Sequence, residues 1–434
     1  MRTGKQRHKM DQASIGQFSF LSDEQVRRIQ QEFGTPTYVY DQRTLEAQGR
    51  RALEFPNAYG LTVRYAMKAL SNAAVLRIVD RMGIHIDASS GFEAARALRA
   101  GVPPGHIQIT AQELPADLAT LLDQGVLFTA CSRRQLRAYG ELRPGSEACI
   151  RVNPGLGSGH SNRTNTGGPS ASYGIWHGHL DEALELAQAY KLSITRIHTH
   201  IGSGGDPKVW ERCARLSLEI AAQFPDVHTL NLGGGFKVGR MPGEETADVQ
   251  AIGRAIKADF EAFARNHGRK LHLEIEPGTY LAANAGALVC TVIDVVDTGP
   301  KGYNFIKIDS GMNEVLRPSI YGAQHPIAVV PATPEQRGQK DYIVAGRCCE
   351  SGDILTPEPG NPEALAPRTL AEARIGDALV VGGAGAYCAA MATKNYNSFP
   401  EAPEILLAND GTCHLIRQRQ TLDQILQNER PISS

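Results

Sequence analysis

The chain has 434 residues, of which 42% are hydrophobic, and it carries 46 acidic and 45 basic side chains. This length exceeds the usual size of one hydrophobic core, so we expect a globular protein with two domains. The nearly balanced charge argues against the strongly basic surface that binding to nucleic acid or to an anionic membrane normally needs, so we expect a small-molecule partner.

The eight cysteines are scattered, with no Cys-x-x-Cys pair and no zinc-finger spacing, so no metal site is expected. Residues 1–10 are polar and basic, and no later stretch is long and apolar enough to span a bilayer. We therefore expect a cytoplasmic protein with reduced thiols and no membrane association.

From Thr37 to Gly278, short apolar runs alternate with segments of helical periodicity, which is typical of repeated βα units. Eight runs predict parallel strands: Leu61–Lys68, Ile84–Ser89, Ile107–Ala111, Leu127–Cys131, Ala148–Asn153, Ile194–Ile201, Thr229–Gly233 and Leu271–Glu276. Eight such units predict a closed (β/α)8 barrel. The alternative, an open doubly wound sheet, usually has a glycine-rich dinucleotide fingerprint where this chain has Lys68.

After residue 284 the pattern changes to strand-like runs between Pro/Gly-rich turns, which predicts an all-β C-terminal domain. The clearest runs are Asn304–Asp309, Tyr342–Ala345, Ala378–Val381 and Cys413–Arg417. We predict an N-terminal segment at 1–35 that packs with the β-domain, a barrel at 36–283 and the β-domain at 284–434. Residues 331–340 and 356–367 are expected to be surface loops, and the polar segment 155–168 is a candidate cover for a site.

Lys68 is expected at the carboxyl end of a buried strand, which is where barrel active sites form. Burial would lower the pKa of its amine until the neutral form can attack a carbonyl, so the position predicts a Schiff-base lysine. The alternative is a lysine whose stem packs against the strand end while its ammonium reaches water.

Polar residues also follow the last three barrel strands. Turns containing Gly235 and Gly278 fall where barrels often bind phosphate, although a tight turn is the alternative for each. Glu276 lies between Ile275 and Pro277, where a carboxylate needs a cation or a hydrogen-bond donor such as a protonated pyridine nitrogen.

A lysine for an aldehyde, glycine turns for a phosphate, a carboxylate for a pyridinium and His200 for a flat ring together predict pyridoxal 5'-phosphate. A structural role is the alternative for a histidine near a core, and we interpret His198 in that way. Strand alternation places His198 and His200 on the same face, so spacing alone does not separate them.

Seven motifs, in chain order, resemble those of the pyridoxal-phosphate-dependent decarboxylases of the alanine-racemase-like barrel class, and most closely those of diaminopimelate decarboxylases. The resemblance extends from about Phe33 to the C-terminus. The motifs are Tyr65-Ala66-Met67-Lys68-Ala69, His198-Thr199-His200-Ile201-Gly202-Ser203-Gly204, Gly233-Gly234-Gly235, Glu276-Pro277-Gly278, Arg317-Pro318-Ser319-Ile320-Tyr321-Gly322, Cys349-Glu350-Ser351-Gly352-Asp353 and Gly385-Ala386-Tyr387.

The resemblance implies that meso-2,6-diaminopimelate is decarboxylated to L-lysine, through a Schiff base on Lys68 and a quinonoid intermediate that Cys349 protonates. It implies that His200 stacks on the cofactor ring and that Glu276 pairs with the ring nitrogen. The remaining cofactor-binding positions that it implies are Ser203, Gly235, Gly278, Thr279 and Tyr387.

The resemblance also implies a homodimer with shared active sites, in which Cys349, Glu350 and Tyr387 act on the partner's cofactor and substrate. Arg317 and Tyr321 would bind the distal carboxylate of the substrate, because a guanidinium and a hydroxyl can hold it together. An ordinary salt bridge is the alternative for Arg317, and a structural buried thiol is the alternative for Cys349.

Two positions depart from the family pattern. Thr279 stands where these decarboxylases usually have an arginine that binds the distal carboxylate, and Arg347 stands where they more often have proline. Arg317 and then Arg347 are the candidates to replace the missing charge. The alternative functions are decarboxylation of D-lysine, D-ornithine or a siderophore or antibiotic precursor, and a catalytically dead regulator, which the intact Lys68 and Cys349 argue against.

Overall fold

The computed structural model describes residues 20–156, 167–200, 202 and 204–432. Its strands are β1 (Thr37–Asp41), β2 (Leu61–Ala66), β3 (His85–Ala88), β4 (Ile107–Thr110), β5 (Leu127–Ala130), β6 (Glu147–Asn153), β7 (Ile175–Trp176), β8 (Ser193–His198), β9 (Thr229–Asn231), β10 (His272–Ile275), β11 (Gly286–Asp297), β12 (Asn304–Ile308), β13 (Ile327–Val330), β14 (Gln339–Ala345), β15 (Pro357–Glu358), β16 (Asn361–Leu365), β17 (Arg368–Ala371), β18 (Ala378–Val381), β19 (Glu404–Leu407) and β20 (Cys413–Arg417).

The helices occupy the intervals between barrel strands and a few positions in the second domain. They are α1 (Asp23–Phe33), α2 (Gln42–Leu53), α3 (Ala73–Arg81), α4 (Gly91–Arg99), α5 (Leu118–Asp123), α6 (Arg133–Leu142), α7 (Leu180–Ala189), α8 (Pro207–Ala222), α9 (Val249–His267), α10 (Thr279–Ala282), α11 (Arg317–Tyr321) and α12 (Leu422–Leu426). Of the helices in the described part of the chain, none combines the length and the apolar content that a bilayer span requires.

Strands β2 to β6 and β8 to β10 pair in parallel, and β5 pairs with β6 to close the sheet on itself. The predicted (β/α)8 barrel is therefore confirmed. Several predicted runs are too long at their carboxyl ends, since β2 ends at Ala66 and β8 ends at His198. Side chains at the turns into the outer helices cap these helices by accepting backbone N–H groups, as Asn72, Ser90 and Asp248 do.

The second domain is a mixed sheet in the order β17-β14-β12-β11-β1-β19-β20, with β18 paired to both β11 and β13. The all-β prediction is confirmed. The prediction of two plain surface loops is wrong in part, because β15 and β16 form a hairpin within 356–367 and β14 begins at Gln339, inside 331–340.

Strand β1 belongs to this second sheet, where it pairs antiparallel with β11 and parallel with β19. The predicted boundary at 36 counts this strand with the barrel, whereas its strand partners belong to the second sheet. The reason is visible in its side chains, since Tyr38 and Tyr40 pack in the large core that continues into the barrel while Val39 packs in a second core. A strand buried on both faces has the same sequence pattern as a barrel strand.

Helix α1 covers the far face of the second sheet. Its buried residues Val26 and Ile29 pack in the same cluster as Val289, Val380 and Ile405. A capping box formed by Ser22 and Gln25 begins the helix. The residues before Phe20 lie outside the described part, so the packing of the whole segment 1–35 stays a prediction.

Candidate active site

Lys68 follows β2 in a single 3-10 turn, Met67–Ala69, and is not part of the strand. Met67 and Ala69 are buried, whereas the Lys68 side chain is exposed. Leu70 N–H donates to the Met67 carbonyl over 3.1 Å and closes the turn. The turn therefore directs the amine away from the core at the carboxyl end of the barrel, where active sites of this fold form.

The charges around Lys68 reverse the direction expected for its pKa. The side chain is accessible, but the surrounding protein removes water from the amine and lowers its pKa; Tyr387, Asp87 and Glu276 together outweigh this effect and raise the pKa above its usual value. The expected depression is therefore wrong for the protein without a ligand, because acidic groups surround the amine. Asp87 is buried, and burial followed by the charge of Glu276 raises its own pKa well above normal.

Glu276 is held by three donors inside the barrel. Asn231 Nδ2 lies 2.7 Å and Gln108 Nε2 lies 3.3 Å from Oε1, and His198 Nε2 lies 3.0 Å from Oε2. Burial lowers the pKa of His198 well below its usual value, so the imidazole is neutral and donates its Nε2 proton to Glu276. These contacts fix the carboxylate, and they give His198 a function beyond the purely structural one expected for it.

A second layer of charge lies deeper in the barrel. Glu274 Oε1 pairs with Arg64 Nη2 at 2.9 Å, and its Oε2 pairs with Arg196 Nη2 at 2.6 Å. Burial opposes ionisation of Glu274, but the two guanidinium groups outweigh it and lower its pKa to about 2. Arg196 Nη2 also donates to Gln108 Oε1 over 2.6 Å, so this layer supports the amide that contacts Glu276.

His200 lies beside the glycine turn that follows β9. Gly234 N–H donates to His200 Nδ1 over 3.0 Å, and burial lowers the pKa of this histidine well below normal, so its proton is on Nε2. A Cβ at Gly233 would lie 2.4 Å from His200 Nδ1, and a Cβ at Gly234 would lie 2.0 Å from the Glu276 carbonyl oxygen. Both positions therefore require glycine.

The other glycines named from the sequence line the same end of the barrel. Gly235 adopts a φ of 104°, and its carbonyl accepts the Gly204 N–H over 2.8 Å, which joins the loops after β8 and β9. Gly278 precedes Thr279, the first residue of α10. Ser203 lies outside the described residues.

Tyr387 lies at the barrel mouth of its own chain. Its N–H donates to the Ala69 carbonyl over 2.9 Å, and its charge raises the pKa of Lys68. This position favours a role for Tyr387 in the site of its own chain and not in a partner's, because the turn after β18 brings it next to Lys68 of the same chain. Its backbone is in the left-handed region, with a φ of 56°.

Cys349 and Glu350 lie elsewhere, on an exposed loop of the second domain. Cys349 N–H donates to Asn397 Oδ1 over 2.8 Å. Among the described residues, no hydrogen bond joins either side chain to the barrel mouth of the same chain. Cys348 is buried, with Sγ 3.5 Å from Asn313 Oδ1, as expected of a structural thiol.

Arg317 and Tyr321 are the first and last residues of α11. Arg317 Nη1 lies 3.1 Å from His325 Nε2. Arg347, the second candidate to replace the missing charge, is already engaged: it pairs with Glu314 at 2.8 Å and lies over the Phe399 ring at 4.0 Å. The hypothesis that Arg347 takes over from the absent arginine is not supported by these contacts.

The sequence analysis did not identify several polar residues of the site. Asp87, Gln108, Arg151, Asn231 and Glu274 are buried polar residues of barrel strands. The available signal was their spacing, since polar residues at alternate positions of an apolar strand face one side, and in a barrel that side is the interior.

The family model described as "Pyridoxal-dependent decarboxylase, pyridoxal binding domain" matches residues 45–283. This chain belongs to the pyridoxal-dependent decarboxylases. It is 37% identical over 416 residues to the diaminopimelate decarboxylase of Escherichia coli K12, covering 94% of this chain and 96% of that one. It is also 37% identical to the diaminopimelate decarboxylase of Streptomyces coelicolor, over 92% of this chain and 90% of that one.

Solved structures of these decarboxylases have the same fold. A crystal structure of a diaminopimelate decarboxylase superposes with a TM-score of 0.87 at 36% identity, covering 94% of this chain and 98% of that one. The Helicobacter pylori diaminopimelate decarboxylase complexed with L-lysine superposes with a TM-score of 0.80 at 26% identity, covering 92% and 98%.

The cofactor of this decarboxylase is pyridoxal phosphate, and the residues at the barrel mouth fit it. Lys68 offers an exposed amine, and Glu276, His200 and the glycine turn at 233–235 lie together at the same end of the barrel. Within the described ranges, Asp87 Oδ1 and Arg151 Nη2 are buried without a hydrogen-bond partner. Unpaired buried polar atoms next to a reactive amine indicate a polar ligand there.

Proposed function

We propose that this pyridoxal-phosphate-dependent carboxy-lyase converts meso-2,6-diaminopimelate to L-lysine and carbon dioxide, a step of lysine biosynthesis. One observation carries the choice of substrate: relatives named diaminopimelate decarboxylase match more than nine tenths of both chains. The barrel mouth supports the chemistry, because it combines an exposed lysine with a buried and fixed carboxylate.

Pyridoxal phosphate, when bound, supplies an aldehyde carbon for an amine and a protonated ring that accepts the electron pair left by departing carbon dioxide. Lys68 Nζ would hold the aldehyde. Glu276 would pair with the ring nitrogen and keep it protonated, and Asn231, Gln108 and His198 keep Glu276 in place. His200 would pack against the ring.

The turns that contain Gly235 and Gly278 would hold the phosphate, with Ser203, Thr279 and Tyr387 as further contacts. The backbone N–H groups of such turns suit an anion. Support for Tyr387 is its position beside Lys68 in the same chain, fixed by the hydrogen bond to Ala69.

The protonated Lys68 must lose a proton before its nitrogen can bond to carbon. Asp87 is the acceptor that we propose, because it is buried, its Oδ1 has no partner among the described residues, and its charge acts on Lys68. Its raised pKa makes it a stronger base than an ordinary aspartate.

We propose a homodimer in which Cys349 and Glu350 reach the barrel mouth of the second copy. The exposure of both side chains supports this arrangement. Cys349 Sγ donates a proton to the carbon that loses carbon dioxide, and Glu350, Arg317 and Tyr321 contact the substrate. We propose a cytoplasmic location, in keeping with the biosynthetic enzymes to which the chain is similar.

The test is release of carbon dioxide by the purified holoenzyme from meso-diaminopimelate, D-lysine and D-ornithine, side by side at equal concentrations. We expect the highest kcat/KM with meso-diaminopimelate, and L-lysine as the product. A preference for D-lysine or D-ornithine would overturn the substrate assignment.

A second candidate, a decarboxylase of D-diamino acids, is favoured by one observation, the uncharged Thr279 at the start of α10. A pocket that binds a substrate without a distal carboxylate has no need of a cation there. The same three-substrate assay separates it from the first proposal.

A further inference from the structure

Arg240 lies in the loop between β9 and α9 and reaches across to the second domain. Its Nε donates to the Gly383 carbonyl over 3.0 Å, and its Nη2 is buried without a hydrogen-bond partner among the described residues. Gly383 adopts a φ of 62°, and a Cβ there would lie 2.9 Å from Arg240 Cδ. The arginine is therefore fixed in place while one of its donors stays unpaired.

Arg317 is held through His325, which contacts Gly382, the residue before Gly383. His325 Nδ1 lies 2.9 Å from the Gly382 carbonyl, so His325 donates there and accepts from Arg317 Nη1 with its other nitrogen. Burial lowers the pKa of His325 well below normal, which agrees with this neutral form. Gly382 and Gly383 thus anchor one arginine from each domain.

The two guanidinium groups are held at adjacent positions, Arg240 by Gly383 and Arg317, through His325, by Gly382. Burial lowers the pKa of Arg240, and the charge of Arg317 lowers it further. Neither arginine forms a salt bridge within the described part of the chain. The Glu244 carboxylate accepts the backbone N–H groups of Arg240 and Met241.

Two like charges held together with an unpaired buried donor are unfavourable unless an anion lies between them. The segment after β18 connects this pair to the reactive amine. It accepts from Arg240 at Gly383, and four residues later the Tyr387 N–H donates to the carbonyl of Ala69, next to Lys68, over 2.9 Å. The arginine pair therefore lies at the same end of the barrel as Lys68.

We propose that Arg240, together with Arg317, binds the carboxylate that the substrate keeps after decarboxylation and so supplies the charge that Thr279 lacks. This inference rests on the proposed function, in which L-lysine retains that carboxylate. It makes Arg240 a specificity-determining residue for a substrate with two carboxylates.

The cofactor phosphate is the other anion that could use Arg240. The position of Arg240 favours the carboxylate, because its guanidinium is anchored on the second domain beside Arg317, whereas the turns that suit the phosphate are barrel loops. The experiment separates the two anions.

The test is binding of two diamines to wild-type and Arg240→Met holoenzyme, measured by calorimetry. L-lysine has the retained carboxylate, and cadaverine is the same diamine without it. We expect Arg240→Met to weaken binding of L-lysine about ten- to a hundredfold, the loss typical of one charged hydrogen-bonding partner. Binding of cadaverine should change less than about twofold. Arg254→Met, on the exposed face of α9, is the matched control.

Each other outcome has a defined meaning. Equal losses for L-lysine and cadaverine, or no loss for either, would overturn the inference. Loss of bound pyridoxal phosphate with an unchanged ratio of the two affinities would assign Arg240 to the phosphate and also overturn it. Arg240→Lys should recover part of the L-lysine affinity, because it restores the charge without the planar fork.

The ratio of the affinities for L-lysine and cadaverine also separates this inference from the proposed function. If wild-type enzyme releases no carbon dioxide from meso-diaminopimelate but still discriminates L-lysine from cadaverine through Arg240, the proposed function fails and the carboxylate site stands. If wild-type enzyme decarboxylates meso-diaminopimelate and the ratio does not depend on Arg240, the inference alone fails.

Discussion

His198 Nε2 lies 3.0 Å from Glu276 Oε2, and both side chains are buried in the barrel. His198→Leu would leave that carboxylate oxygen without its protein donor, which typically costs about 1–3 kcal/mol. We expect a loss of that size in the free energy of unfolding, measured by urea titration of the cofactor-free protein. His198→Gln offers a donor of similar reach and should lose less. Equal losses for the two variants would contradict a hydrogen-bonding role.

Gly234→Ala should disrupt the glycine turn after β9, because the added Cβ would meet the Glu276 carbonyl oxygen at 2.0 Å. Overpacking of this kind costs typically about 1–3 kcal/mol, and here it also displaces the backbone of Glu276. We expect a lower Tm and less bound cofactor after purification. Gly105→Ala, where the Cβ meets nothing within 4 Å, is the control. A Gly234→Ala enzyme that behaves like the control would contradict the geometry of the turn.

Glu274→Gln should destabilise the barrel in a pH-dependent way. Paired with Arg64 and Arg196, Glu274 has its pKa lowered to about 2 in the folded chain. A depressed carboxyl pKa contributes stability that is present above the unfolded value and lost as pH falls through the folded value. The difference in unfolding free energy between wild type and variant should be about 3–5 kcal/mol near pH 7 and should shrink below about pH 4.5. A difference that does not change with pH would contradict the ion-pair account.

Mixing inactive variants tests which side chains are shared between subunits. Cys349→Ala and Lys68→Ala should complement each other, because a hybrid dimer has one site with both wild-type residues. Random mixing gives up to about a quarter of wild-type activity, since half of the dimers are hybrids. Tyr387→Ala mixed with Lys68→Ala should give no recovery, because Tyr387 lies beside Lys68 of its own chain. Recovery in the second mixture, or none in the first despite confirmed hybrids, would contradict this assignment.

The barrel was predictable because its eight apolar runs, each followed by a helical pattern, allow few other folds. The predicted boundary at 36 counts strand β1 with the barrel domain, because burial of Tyr38 and Val39 on opposite faces gives it the pattern of a barrel strand. The local sequence of a strand that is buried on both faces does not indicate which sheet the strand joins.

The reactive lysine and the glycine turns were also visible in the sequence, because each follows an apolar run directly. The direction of the Lys68 pKa was not, since it depends on Asp87 and Tyr387, which are distant in the chain and meet the amine only after folding. Arg240 was missed for the same reason. Its partner segment, Gly382–Gly383, belongs to the other domain.

The central claim is that Lys68 holds pyridoxal phosphate in this decarboxylase. The most direct test is reduction of the purified holoenzyme with borohydride, followed by peptide mapping by mass spectrometry. We expect the phosphopyridoxyl group on the peptide that contains Lys68, and no label in Lys68→Ala. Label on a different lysine of the wild-type enzyme, or equal label in the Lys68→Ala variant, would contradict the account.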